Sequence, residues 1–213
     1  MAIKNKFNAI DIYVKYYIDR NYEQIDLFQL LKETFGIESV VYPGSYVQIS
    51  PAFIFPHVAF IDSDNMANKF FKDDKPISYI INRKIYAADP DVTFYAQDYT
   101  VPIPKLESQF DLLISQYAGF ISDTCKNYLK VNGYLLVNNS HADAGLAAID
   151  KDYKLIATIK KSHDKYRLSF SKLDEYFIPK KDIIISKEYL YKTGKGIGYK
   201  NSASLYLFQR ISW

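Results

Sequence analysis

Apolar residues near the start of the chain recur with helical spacing. Ile10, Tyr13, Val14, Tyr17 and Ile18 fall at i, i+3, i+4, i+7 and i+8 and so share one face. Leu27, Phe28, Leu31 and Phe35 form a second stripe, Asn21 with Gln24 three residues on resembles a capping box, and Gly36 stands where a helix stops. From Ser39 the pattern changes to short apolar runs at 39–42, 58–61, 92–96, 110–115 and 134–137. Runs this short and this continuous predict parallel strands buried on both faces. Helices are predicted between them: a short one after Ser50-Pro51, then 65–73, 76–88 and 121–130. Ser50-Pro51 reads as an N-cap with proline at the first helical position, Pro76 reads likewise, and Ile77, Ile80, Ile81 and Ile85 make one stripe. Alternating strands and helices predict a three-layer α/β fold, an open, mostly parallel twisted sheet with helices on both faces. Past residue 150, 153–159 and 202–211 read as strands, while the lysine-rich stretch 160–199 has mixed periodicity. The expected organisation is an N-terminal helical cap over 1–38 and one α/β unit over 39–213.

Composition narrows the class. The 213 residues are 48% hydrophobic and 16% aromatic with only 8 Gly and 8 Pro, which excludes a disordered or collagenous chain. Cys125 is the single cysteine and cannot close an intramolecular disulfide. The first twenty residues lack the apolar run of a signal peptide and no stretch reaches the roughly 18 apolar residues of a membrane span, so a soluble cytoplasmic protein is expected. The net charge of +3 hides an asymmetry: residues 1–150 carry a balance of −5 and residues 151–213 one of +8. A basic last third can attract phosphate-rich partners, although lysines interleaved with acids usually form a solvated surface.

In an open parallel sheet, ligands bind outside the carboxyl ends of the strands, beside the switch in strand order. Those ends are polar here. The first run leads into Tyr42-Pro43-Gly44-Ser45-Tyr46, where glycine permits a tight turn and close backbone approach. The second leads into Asp62-Ser63-Asp64, and Asp62 lies 18 residues after Gly44, near the spacing at which a carboxylate accepts ribose hydroxyls. The third leads into Gln97-Asp98-Tyr99 and the fourth into Ser115-Gln116-Tyr117-Ala118-Gly119.

In this order the motifs resemble class I S-adenosylmethionine-dependent methyltransferases. Phe110-Asp111-Leu112-Leu113-Ile114-Ser115 is similar to that family's fourth strand, and Leu129-Lys130-Val131-Asn132-Gly133-Tyr134-Leu135-Leu136-Val137 to its turn into the fifth. The resemblance covers 39 to about 140, and the 202–211 strand suits the family's antiparallel seventh strand. It implies S-adenosylmethionine as cofactor and no metal. It also implies Gly44 and Ser45, with Tyr42, against the methionine end, Asp62 with Ser63 at the ribose, Gln97 and Asp98 flanking the adenine, and Gln116 bordering the reacting methyl. Tyr42 stands where the family has an acidic residue and Tyr46 where it has a second glycine; Val131 and Asn132 depart from its L-K-P-G-G turn. Tyr46 either stacks on the ligand or fills its place. Two functions follow: methyl transfer to an unidentified acceptor, or a fold that has lost the cofactor and serves as a binding or scaffolding module, contacting nucleic acid through its basic third.

Other chemistries lack their motifs. G-x-G-x-x-G is absent after the first strand, as are a phosphate loop and an Asp/Asn-Pro-Pro-Tyr/Phe amino-methyltransferase signature. His57, His141 and His163 are scattered without cysteine partners, so no zinc pattern exists. Asp62-Ser63-Asp64-Asn65 lacks the glycine and glutamate of a calcium loop. Asn138-Asn139-Ser140-His141-Ala142-Asp143 cannot form a nucleophilic triad from adjacent residues; Ser140 reads as a helix cap, with His141 and Asp143 at the crevice rim. Tyr117 reads as a packing residue or as a stacking platform for a planar acceptor. Gly194, Gly196 and Gly198, with Lys195, Lys200, Tyr191 and Tyr199, read either as a floppy hairpin or as a clasp for a phosphate-bearing acceptor.

Overall fold

The computed structural model describes residues 8–163 and 165–212; the first seven residues of the expected cap, Asp164 and Trp213 lie outside the described residues. Two short helices open the chain, α1 (Ala9–Tyr13) and α2 (Ile25–Phe35), and α1 runs on as a π-helical turn over Val14–Ile18. Strands and helices then alternate as β1 (Ser39–Pro43), α3 (Pro51–Ile54), β2 (His57–Ile61), α4 (Asn65–Phe71), α5 (Asp74–Arg83) and β3 (Asp91–Tyr95). The second half contributes β4 (Phe110–Ser115), α6 (Ile121–Thr124), β5 (Leu129–Val137), α7 (Asp143–Ile149), β6 (Tyr153–Ser162), β7 (Lys165–Ser169), α8 (Lys187–Thr193) and β8 (Leu205–Arg210).

One eight-stranded sheet has the order β3-β2-β1-β4-β5-β8-β6-β7. Strands β1 to β5 pair in parallel, β8 lies antiparallel between β5 and β6, and β7 hairpins back along β6 at the edge. The alternation of side chains along buried strands splits the core in two. Val40, Tyr42, Val58, Phe60, Leu112 and Ile114 face a cluster that includes Tyr13, Leu27, Phe28, Leu31, Phe53 and Phe70 from the first four helices. Val41, Ala59, Ile61, Leu113, Leu135 and Val137 face the other, with Leu106, Ile121, Ala144 and Ala147. The expected three-layer fold is therefore present, with the antiparallel strand where it was predicted and one further edge strand. In β7, Tyr166 and Leu168 alternate with Lys165 and Arg167, the charged pattern of a protected edge.

Several local expectations are corrected. Asn21 and Gln24 do not form a capping box: both are left-handed, at φ +50° and +61°, and Gln24 makes no cap with its side chain. Tertiary contacts hold this turn instead. Glu23 accepts from the Tyr13 hydroxyl and from Arg83, each at 2.5 Å, and its carbonyl accepts from Ser50 Oγ, so Ser50 is spent elsewhere than on capping α3. Helix α5 begins at Asp74 under an Asp73 cap rather than at Pro76, and it ends at Arg83. The helix expected over 121–130 breaks after Thr124, and β5 already begins at Leu129. Ser140 does not cap α7, whose preceding residue Ala142 is left-handed.

Candidate functional site

Strand order reverses direction between β1 and β4, so the loops leaving these two strands flank the switch point. Gly44 takes φ +64° and donates its N–H to the Ile61 carbonyl at 2.8 Å. A Cβ there would lie 2.1 Å from Ala118 Cβ, so the two loops touch at a point only glycine allows. Ser45 is buried beside it. Tyr46 follows with φ +50°, and its amide donates to Asp62 Oδ2 at 2.6 Å. The other oxygen of Asp62 accepts the Asp64 amide at 2.8 Å. Asp62 is half-buried at the tip of β2 with exposed Ser63 next to it. A carboxylate offers about four acceptor sites, and these two backbone donors leave the others open.

At the end of β3 the side chains turn inward on their own loop. Gln97 donates to the Val101 carbonyl at 2.9 Å. Asp98 is exposed, and its carboxylate accepts from the Thr100 amide and hydroxyl, which hold it below the usual carboxylate range. Tyr99 spans to the β4 loop, donating its hydroxyl to the Ala118 carbonyl at 2.6 Å. Tyr42 is buried in the core, where desolvation pushes its phenol well up. Gln116, 2% exposed, accepts from the Tyr22 hydroxyl at 3.1 Å through Oε1, while its Nε2 is buried without a hydrogen-bond partner.

The sequence pattern had assigned the first helix entirely to packing, yet one side of it faces this crevice. Tyr16, Tyr17, Arg20, Tyr22 and Tyr117 line a cavity of about 340 Å³. The π-helical turn carries Tyr16 and Tyr17, and the Tyr22 amide returns to the Tyr17 carbonyl at 2.7 Å. Adjacent residues thereby reach the same cavity; π turns are frequent at functional sites. Tyr16 meets Tyr46 edge-on with centroids 5.5 Å apart, and Tyr22 meets Tyr117 at 6.1 Å. Asn21, Gln24, Tyr46 and Tyr117 all have φ between +50° and +61°. Left-handed non-glycine residues cost roughly 1–2 kcal/mol each and gather at functional sites. The adjacent pair Tyr16-Tyr17 with Arg20 one turn on was the available sequence signal.

The other candidates fall elsewhere. Asp143 is not at the rim: it is 2% exposed and accepts from Ser115 Oγ and from the hydroxyl and amide of Ser122. Burial raises its pKa to about 6 despite those bonds. His141 is half-buried against Ser140 Oγ at 2.9 Å. The 194–200 loop is docked on the β5–α7 connection: Asn139 Nδ2 donates to the Ile197 carbonyl at 2.8 Å and the Gly196 amide donates to that of Ser140 at 3.2 Å. Burial pushes the Cys125 thiol well up, which makes it a packing group and not a nucleophile. Among the described residues, no group of three or more His, Cys, Asp and Glu is placed to hold a metal ion, and no helix is long and apolar enough to cross a membrane.

No protein-family model matches the sequence, and no curated protein matches it. Solved structures do. A suggested O-methyltransferase from Klebsiella pneumoniae aligns over 99% of this chain and 93% of its own, at 10% identity and a TM-score of 0.51. A methyltransferase from Geobacter sulfurreducens is similar over 79% of this chain and 92% of its own, at 17% identity and a TM-score of 0.47. The O-methyltransferase from Bacillus cereus in complex with SAH is similar over 78% and 90%, at 10% identity and a TM-score of 0.49. At such identity the likeness concerns the fold, and the fold of this chain is the Rossmann-like α/β fold of class I methyltransferases.

Proposed function

We propose that the protein binds S-adenosylmethionine at the carboxyl ends of β1, β2 and β4 and transfers its methyl group to an acceptor. The observation that carries this reading is Asp62, fixed by the Tyr46 and Asp64 amides at the tip of β2 with acceptor capacity to spare. That arrangement fits a pair of ribose hydroxyls. Gln116 supports the reading independently, because a buried amide donor without a partner costs about 1–3 kcal/mol and a bound acceptor atom would satisfy it. Asp98 adds nothing to the fit, since Thr100 occupies its carboxylate, and the Gly44–Ala118 contact sets how far the β1 and β4 loops stand apart.

When bound, the cofactor supplies an electrophilic methyl group on a sulfonium, so the protein's part is alignment. Asp62 would hold the ribose and Gln116 the reacting end. Burial keeps the Tyr22 phenol protonated, which makes it a donor that fixes the orientation of the Gln116 amide. Tyr46 and Tyr117, on the two loops at the switch point, would place apolar rings around the transfer and exclude water.

Calorimetric titration with S-adenosylmethionine and S-adenosylhomocysteine tests the proposal, with thermal shift as a second readout. Micromolar binding and a raised melting temperature are expected. Neither heat nor shift at millimolar ligand overturns it.

A further inference from the structure

The cavity beside the proposed cofactor site has a distinct chemistry. Four phenol rings and one guanidinium line an open groove of about 340 Å³, at the small end of ligand pockets. The guanidinium of Arg20 is stacked over the Tyr16 ring with its carbon 4.8 Å from the centroid. Among the described residues no carboxylate pairs with it. A stacked guanidinium keeps its in-plane donors free for a carboxylate. The Tyr22 wall is itself anchored, since its hydroxyl donates to the buried Gln116 Oε1.

Aromatic walls select a flat, π-faced molecule. The unpaired arginine selects a negative charge. The wall also touches the proposed transfer site, since Tyr16 packs on Tyr46, whose own amide is bonded to Asp62.

We propose that this cavity is the acceptor site and that it takes a small planar aromatic anion, an aromatic carboxylate. Arg20 binds the carboxylate, and the exposed face of Tyr117 is the platform on which the aromatic ring lies. The acceptor role rests on the methyl-transfer reading; the binding of the anion does not.

The test separates the two. Binding of 4-hydroxybenzoate and of its neutral counterpart 4-hydroxybenzyl alcohol is measured by ligand-observed NMR on the full chain, without cofactor, for the wild type, Arg20→Gln and Tyr117→Leu. Both substituted side chains are exposed, so the variants should keep the wild-type melting temperature. The expected result is saturable binding of the anion about tenfold tighter than the alcohol. Arg20→Gln should abolish that preference, and Tyr117→Leu should weaken both ligands. Absence of saturable binding at millimolar probe, equal affinity for the two probes, or binding unchanged in both variants overturns the proposal. If the anion binds as expected while S-adenosylmethionine does not, the aromatic-anion site stands and the methyl-transfer reading falls.

Discussion

Ser115 at the end of β4 donates its hydroxyl to the Asp143 carboxylate at 2.5 Å, and Ser122 donates to the same carboxylate through its hydroxyl at 2.5 Å and through its amide. These donors tie β4, α6 and α7 together around a buried acid. Desolvation outweighs them and lifts the pKa from 3.8 to about 6. The folded state thus holds the proton more tightly than the unfolded chain does. Stability from this group is greatest below about pH 4, falls as pH rises to about 6, and is level above that, a loss of about 2–3 kcal/mol. Asp143→Asn should remove this decline. Urea midpoints of wild type and variant at pH 4.5 and 7 measure it, and parallel pH profiles would show that the decline has another source.

Asp62→Ala should weaken S-adenosylmethionine binding by about 1–3 kcal/mol, roughly ten- to a hundredfold. It also frees the Tyr46 amide, which holds a left-handed tyrosine. Calorimetry of the variant, with circular dichroism to verify folding, provides the reading. Unchanged affinity would remove Asp62 from the site.

Gly44→Ala places a methyl 2.1 Å from Ala118 Cβ at φ +64°. The backbone and the overpacking together should cost about 2–4 kcal/mol. Ala118→Gly opens the space, so the double variant should be more stable than the sum of the single changes predicts. A urea-unfolding cycle decides this, and strict additivity would mean that the two loops do not touch.

Gly196→Ala would set a methyl 1.7 Å from the Asn139 carbonyl oxygen, a backbone atom that cannot turn aside. The 194–200 loop should then leave the β5–α7 connection, and the backbone after the already exposed Lys195 should become cleavable by trypsin. Gly198→Ala, whose nearest neighbour is Lys180 Cδ at 3.8 Å, is the control and should remain resistant. Equal cleavage of the two variants would refute this packing.

The lysine-rich third shows where periodicity fails. Strand β7 was hidden because an edge strand alternates charged with apolar residues and so reads as one more polar stretch after β6. The candidate site divides in the same way. Gly44, Asp62 and Gln116 could be found because the strand ends locate them; Tyr16, Arg20 and Tyr22 were missed, because the loop residues they meet lie more than twenty positions away in sequence.

By itself the sequence determined the strands other than β7 and most of the helices, because burial on one or two faces imposes an apolar period on the residues concerned. It also determined that polar groups gather at the strand ends. Only the tertiary structure decided the rest. The turn at Asn21 to Gln24 is left-handed because Tyr13, Arg83 and Ser50 grip Glu23 from three separate elements. Gly196 is required by a carbonyl 57 residues earlier in the chain. Asp143 is a buried acid and not a rim residue because α6 closes over it. In each case the deciding force is a contact between residues distant in sequence, and local spacing carries no record of it.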